Sequence, residues 1–186
     1  MIRFKQIFIS IVFVLFAFSV LFISNIASDI PLEELKTEFK NKNSRFVEVD
    51  GTFVHYVDEG VGTPIILLHG TGASLHTWDL WAERLKDKYR VLRITLPGFG
   101  LSGPRSDKKY KIKDYVNLLE SFVEKIGVKK FYLAGNSLGG SIAWLYTSFY
   151  DKKVKKLILI NSSGFEFDEI PFVIKIARNN FLNFLI

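Results

Sequence analysis

The chain opens on a long apolar run, Ile7 to Ile26, interrupted only by Ser10, Ser19, Ser24 and Asn25. As a helix this run spans roughly 30 Å, the thickness of a bilayer core. The pattern then turns amphipathic. Pro31 to Lys40 carries proline and acids early and lysines late, as a short helix aligned with its own dipole would. Arg45–Val49 and Thr52–Val57 are rich in β-formers and joined by Asp50-Gly51, a strong hairpin signal. From Pro64 apolar strand runs alternate with helical spacing: strand Ile65–Leu68, a helix around Trp78, Leu80, Trp81 and Leu85, strand Arg90–Ile94, and a helix over Lys113–Ile126. Strand Lys130–Ala134, a helix over Ser137–Tyr150 and strand Lys156–Ile160 follow. This alternation predicts a mostly parallel sheet covered on both faces, led by an antiparallel hairpin. Its chemistry should gather at the carboxyl ends of the strands.

The first segment decides where the rest resides. Arg3 and Lys5 precede the apolar run, and Asp29, Glu33 and Glu34 follow it, so the basic bias places the N-terminus in the cytoplasm and everything after Ser28 outside. A cleaved signal sequence, leaving a secreted protein, is the rival expectation. The run is long for a signal, and a small-x-small cleavage site is poor around Asn25-Ile26-Ala27-Ser28. The expected organisation is a transmembrane anchor over 1–28, a spacer over 29–44, a catalytic core over 45–164, and a further segment over 165–186.

Composition narrows the chemistry. The chain has no cysteine, which excludes thiol catalysis, disulfides and cysteine-ligated metal. The formal charge of +6 raises nucleic acid as a partner, but the lysines are scattered over turns and helix faces without interleaved stacking aromatics. Solvated surface is the reading adopted, with no nucleic-acid partner.

Three loops carry the candidate chemistry. Gly135-Asn136-Ser137-Leu138-Gly139 sits between a strand and a helix, the setting in which a serine stands on a tight turn with its hydroxyl free. Ser137 is the candidate nucleophile, and the Leu138 N–H at the helix start is a candidate oxyanion donor. Leu68-His69-Gly70-Thr71-Gly72 ends another strand, and its Thr71 N–H is assigned as the second donor, with Gly72 as the fallback. His69 is read as a support of that loop rather than as a base; His55 and His76 have still less claim. Leu96-Pro97-Gly98-Phe99-Gly100-Leu101-Ser102 follows a third strand and reads as loop architecture.

Taken in this order, these motifs resemble the α/β-hydrolase superfamily over about Arg45 to Gly164: His69-Gly70 with Trp78 downstream, Pro97 to Ser102, and Gly135 to Gly140. The resemblance implies a twisted, mostly parallel eight-stranded sheet, Ser137 as nucleophile, no cofactor, and a cap after the sixth strand beginning near Phe165. Serine at the elbow departs from the dehalogenase and epoxide-hydrolase branches, which use a carboxylate there. Thr95 stands where the family usually has an acid, implying altered loop support. All three histidines precede Ser137, whereas the family's acid and histidine follow the serine, so the chain is expected to lack the last strands.

The resulting expectation is a membrane-anchored serine hydrolase that cleaves an ester, amide or related acyl bond through an acyl-serine. Phe165, Phe167, Ile170, Phe172 and Val173 suggest a lipophilic substrate and are explained equally well by core packing. The alternative is a catalytically incompetent fragment or a non-catalytic binding module without a base for Ser137.

Overall fold

The computed structural model describes residues 2–24 and 30–164. The chain divides into two units, Met1–Glu38 and Phe39–Ile186. In the first, helix α1 (Ile2–Ser24) contains an apolar stretch, Phe4–Phe22, of mean hydropathy 2.2, long and apolar enough to cross a membrane. Signal sequences meet the same criterion. Helix α2 (Leu32–Phe39) follows, with Glu33 and Glu34 in its first turn opposing the positive end of the helix dipole.

The second unit is built on a six-stranded sheet ordered β1-β2-β4-β3-β5-β6. Strands β1 (Ser44–Val49) and β2 (Thr52–Glu59) form the expected hairpin. Asp50 and Gly51 both take positive φ, 49° and 72°, as a two-residue turn matched to strand twist requires. A side chain at Gly51 is therefore strained whatever its size. Gly51→Ala should cost about 1 kcal/mol, read as a lowered urea midpoint at unchanged slope.

Strands β3 (Thr63–Leu68), β4 (Tyr89–Ile94), β5 (Phe131–Asn136) and β6 (Val154–Ile160) are mutually parallel, and β2 pairs antiparallel with β4. From β3 the chain steps to one side to form β4, then returns past β3 to form β5. That reversal sends the connecting helices to opposite faces. Helix α3 (Asp79–Leu85), preceded by a tight 3-10 turn over Leu75–Trp78, covers one face with Trp78 and Ala82 against Ile65, Leu67, Val91 and Ala134. Helices α4 (Ile112–Lys125) and α5 (Leu138–Phe149) cover the other, where Phe122, Phe131, Ile142 and Tyr146 have no exposed surface.

The helical periodicity of α4 reappears as burial of Val116, Leu119, Phe122 and Val123. Its start is secured by Asp114, whose carboxylate accepts from the Lys111 amide at 2.9 Å. Its end closes with Val128 N–H on the Val123 carbonyl and Gly127 N–H on that of Glu124, with Gly127 at φ 73°. The pattern around Trp78 translates less directly. Trp78 is buried, but Leu80 and Trp81 keep 74% and 49% of their surface exposed, because α3 presents only its Trp78–Ala82–Leu85 side to the sheet. The resemblance implied eight strands; six are present among the described residues. Residues 165–186, where a cap was expected, lie outside the described residues.

Candidate active site

Strand register brings the loops together. Leu68 is level with both Ile94 and Gly135, and Asn136 with Ile160, so the loops beginning at His69, Thr95, Ser137 and Asn161 leave one rim of the sheet side by side. β3 and β5 flank the point where the strand order reverses, the usual place for a crevice in an open α/β sheet.

Ser137 occupies the turn from β5 into α5 with φ 49° and ψ −114°, a conformation that is costly for a residue with a Cβ. The neighbours hold it there. Its N–H donates to the Ile160 carbonyl at 3.1 Å, and its carbonyl accepts from Ser163 N–H at 3.2 Å and from Ser141 N–H at 3.1 Å. Asn136 adds a side-chain donor to the same Ile160 carbonyl at 3.1 Å. The end of β6 thus clamps the turn from outside, a role for Asn136 and Ser163 that no motif announces. Two glycines make the turn sterically possible. A Cβ on Gly135 would strike the Gly139 carbonyl, and one on Gly139 would meet the carbonyl of Leu68 and come within 2.6 Å of that of His69.

The His69–Gly72 loop runs directly against the serine: a Cβ on Gly70 would lie 3.1 Å from Ser137 Cβ and 2.9 Å from Asn136 Oδ1. His69 is fully buried. Its Nε2 accepts from Leu96 N–H at 2.9 Å, which leaves the proton on Nδ1, donated to the Gly70 carbonyl at 2.7 Å. Burial lowers its pKa, against the opposing pull of the Gly70 carbonyl. With both ring nitrogens engaged in neutral form, His69 ties the loop after β3 to the loop after β4 and has no free nitrogen for a reacting serine. His76 is paired with Asp79 at 3.1 Å, and His55 is buried among hydroxyls. None of the three touches Ser137.

The loop after β4 is also well anchored. Phe99 packs edge-on against the His69 ring with centroids 5.5 Å apart, and the Pro97 carbonyl accepts from the Tyr115 hydroxyl at 2.9 Å. Burial, with Tyr110 next in effect, pushes the Tyr115 phenol up to about 12, so it remains a donor throughout the ordinary pH range. At the position where an acid was missing, Thr95 is fully buried and accepts from Leu75 N–H at 3.3 Å.

Among the described residues the Ser137 hydroxyl has no hydrogen-bond partner, and the amides of Thr71 and Leu138 find no backbone acceptor. Leu138 is the first residue of α5, so its N–H is one of the orphan donors of a helix start. The arrangement is therefore a half-buried turn hydroxyl with the open Leu138 amide next to it in the chain and the open Thr71 amide in the loop packed against it, which suits an oxygen that becomes negative beside a carbon under attack. Among the described residues no three His, Asp or Glu side chains gather as a metal site would require.

One group of lysines lies away from this rim. Lys86 and Lys88 in the α3–β4 turn, Lys125, Lys129 and Lys130 before β5, and Lys152, Lys155 and Lys156 around the start of β6 are exposed at the amino ends of the parallel strands, opposite Ser137. Although scattered in sequence, they share one end of the sheet.

Comparisons with known proteins bear on the fold. A family model for the alpha/beta hydrolase fold matches residues 63–182. The chain is 27% identical over 143 residues to cis-3-alkyl-4-alkyloxetan-2-one decarboxylase of Shewanella oneidensis, a match covering 74% of this chain and 45% of that protein. It is 33% identical over 118 residues to mouse epoxide hydrolase 4, covering 62% and 33% respectively. A crystal structure of a membrane phospholipase A, described as a bacterial virulence factor, superimposes with a TM-score of 0.67 at 28% identity, covering 89% of this chain and 55% of that one. The chain thus spans less than half the length of these two curated relatives. With the elbow, the crevice and the flanking loops in place, and two-thirds of the sequence matched by one family model, the chain belongs to the alpha/beta hydrolase fold family.

Proposed function

We propose that the protein is a serine hydrolase that cleaves an ester, amide or related acyl bond, with Ser137 as nucleophile and the Thr71 and Leu138 amides as oxyanion donors. The observation that carries this reading is the strained Ser137 turn beside two open N–H groups. Ser137 Oγ attacks the substrate carbonyl carbon, its proton passes to a base, and the two amides stabilise the oxyanion. Collapse expels the leaving group and forms an acyl-serine, which water cleaves. The nucleophile's chemistry argues for acyl transfer rather than epoxide opening. A serine that opened an epoxide would form an ether, which water does not hydrolyse, whereas an acyl-serine is an ester and turns over.

The phospholipase likeness supports a lipophilic acyl substrate, and the apolar α1 supports attachment to a bilayer. We place the N-terminus in the cytoplasm and the hydrolase unit outside, on the strength of Arg3 and Lys5 before the span and the acids after it. A secreted form released by signal cleavage is the competing arrangement. A second functional reading, a binding module without turnover, is favoured by one observation: among the described residues no base is hydrogen-bonded to Ser137. Residual rate would then come from the oxyanion donors and binding alone.

A fluorophosphonate probe separates the readings. An activated Ser137 takes up one equivalent of the probe, found by mass spectrometry on its own peptide, and Ser137→Ala takes up none. Labelling that persists in Ser137→Ala would remove the nucleophile assignment. Absence of labelling in the parent chain would favour the binding module.

A further inference from the structure

We infer that His55 is a positioning residue for the candidate site, holding the loop Leu96–Ser102 in place only while its ring is neutral, so that acid loosens that loop. The site meant is the proposed hydrolase site. The inference rests on that reading for its functional consequence only, and the test below needs no turnover, so either can fail without the other.

His55 lies on β2, yet its main chain and side chain both grip the end of β4 and the loop beyond it. Its carbonyl accepts from Thr95 N–H at 2.9 Å, and its N–H donates to Ser102 Oγ at 2.9 Å. Ser102 Oγ in turn donates to the Thr95 carbonyl at 2.5 Å. The ring closes the network, with Nδ1 3.2 Å from Thr95 Oγ1 and Nε2 2.9 Å from Ser44 Oγ. It stacks on Phe46 with centroids 4.9 Å apart and is 1% exposed. Thr95 is followed by Leu96, whose N–H holds His69, and His69 holds Gly70 against Ser137. His55 therefore stands at the start of a bonded series that ends at the nucleophile turn.

Proton accounting shows why neutrality matters. Thr95 Oγ1 already accepts from Leu75 N–H, and Ser44 Oγ accepts from Asn41 N–H at 3.1 Å. The neutral tautomer protonated on Nε2 satisfies both hydroxyls: Nε2–H donates to Ser44 Oγ, and Nδ1 accepts the Thr95 hydroxyl proton. An imidazolium would donate to both. Ser44 could then turn its own proton to Asn41 Oδ1, 3.4 Å away, but the Thr95 hydroxyl proton would have no acceptor among the described residues. The added charge would also be unopposed. The titratable groups facing the ring are His76, from the turn before α3, and Arg93 of β4, both basic. The carboxylates beyond them are occupied, Glu59 with Arg93 at 2.6 Å and Asp79 with both Arg93 and His76. Burial first, then His76 and Arg93, lowers the His55 pKa to about 4. An acid in place of Thr95 would have neutralised an imidazolium; the threonine cannot.

Linkage fixes the sign. A histidine whose pKa falls from 6.5 to about 4 on folding contributes stability in full above 6.5, and the contribution drains as pH falls towards 4, by up to tenfold in the folding equilibrium per unit. The test is nuclear magnetic resonance on the full chain in detergent micelles from pH 7.5 to 4. The His55 ring, followed at its Cε1 resonance, should stay neutral down to at least pH 5, and the Leu75 and Leu96 amide resonances should move with the same midpoint as its ring. Thr95→Asp should raise the His55 midpoint by one unit or more and leave the Leu96 amide unmoved as His55 protonates. In His55→Asn, which has no titrating ring, the Leu75 amide should lose this transition. His55 titrating near 6.5 in the parent chain while the Leu96 amide stays unmoved would overturn the inference, and so would loop resonances that shift identically in His55→Asn.

Discussion

Gly139→Ala is expected to leave little folded protein. The new methyl group would sit against the Leu68 carbonyl and 2.6 Å from that of His69, both backbone atoms of a buried strand end that cannot swing aside. Relief requires α5 to move off β3, which breaks the packing of Ile142, Ala143 and Tyr146 at the same time. Overpacking of this kind costs about 3 kcal/mol or more, a large fraction of the stability of a single domain. Gly127→Ala is the proper comparison. Gly127 has φ 73° but open space where a Cβ would go, so only backbone strain, about 1 kcal/mol, is expected. Thermal melts of the two variants check this; equal melting temperatures would show that contact at the elbow does not limit stability.

The second large effect is at His69. His69→Ala should destabilise the domain by about 3–5 kcal/mol. The change empties the volume of a ring and leaves the Leu96 N–H and the Gly70 carbonyl without partners in a buried site. His69→Gln, whose amide can reach towards one of the two, should recover part of the loss in chemical denaturation. A His69→Ala variant as stable as the parent would mean that the loops after β3 and β4 hold each other without the ring. The pH dependence has a definite direction. Because burial lowers the His69 pKa below its ordinary 6.5, its contribution is complete above that value and declines as pH falls below it. His55 declines in the same direction, so residue-specific titration is needed to apportion the acid limb between them.

The parts of this protein legible in its sequence are those whose physics is local. Asp50-Gly51 specifies a hairpin because two consecutive residues must take positive φ. The βα alternation specifies parallel strands because strand and helix bury apolar positions at different periods. The Gly135–Gly139 segment marks a strained serine because the strand, the turn and the helix start are contiguous, and Ser137 has the expected unusual backbone. Apolar identity at helical spacing was less informative around α3, where Leu80 and Trp81 face outward. Whether an apolar side of a helix is buried depends on which neighbours the topology supplies.

The supports of the site belong to the second category. Nothing in the vicinity of Gly70 says that it lies against Ser137, or that His55 bonds Thr95 forty positions later. The threonine was recognisable as a departure from the family pattern, but its partners were not. Lys86, Lys88, Lys125, Lys129, Lys130, Lys152, Lys155 and Lys156, dispersed along the chain, proved to share the end of the sheet away from the serine. Local patterning alone determined the elements, the nucleophile turn, the membrane-compatible helix and the family resemblance, because each is written within a few turns of chain. The strand order, the meeting of four loops at one rim, the neutral state of His69 and the hydroxyl network around His55 were decided only by the tertiary structure. Each depends on groups far apart in sequence being desolvated together, and hydrogen bonding and charge in a buried site are set by whatever shares that site.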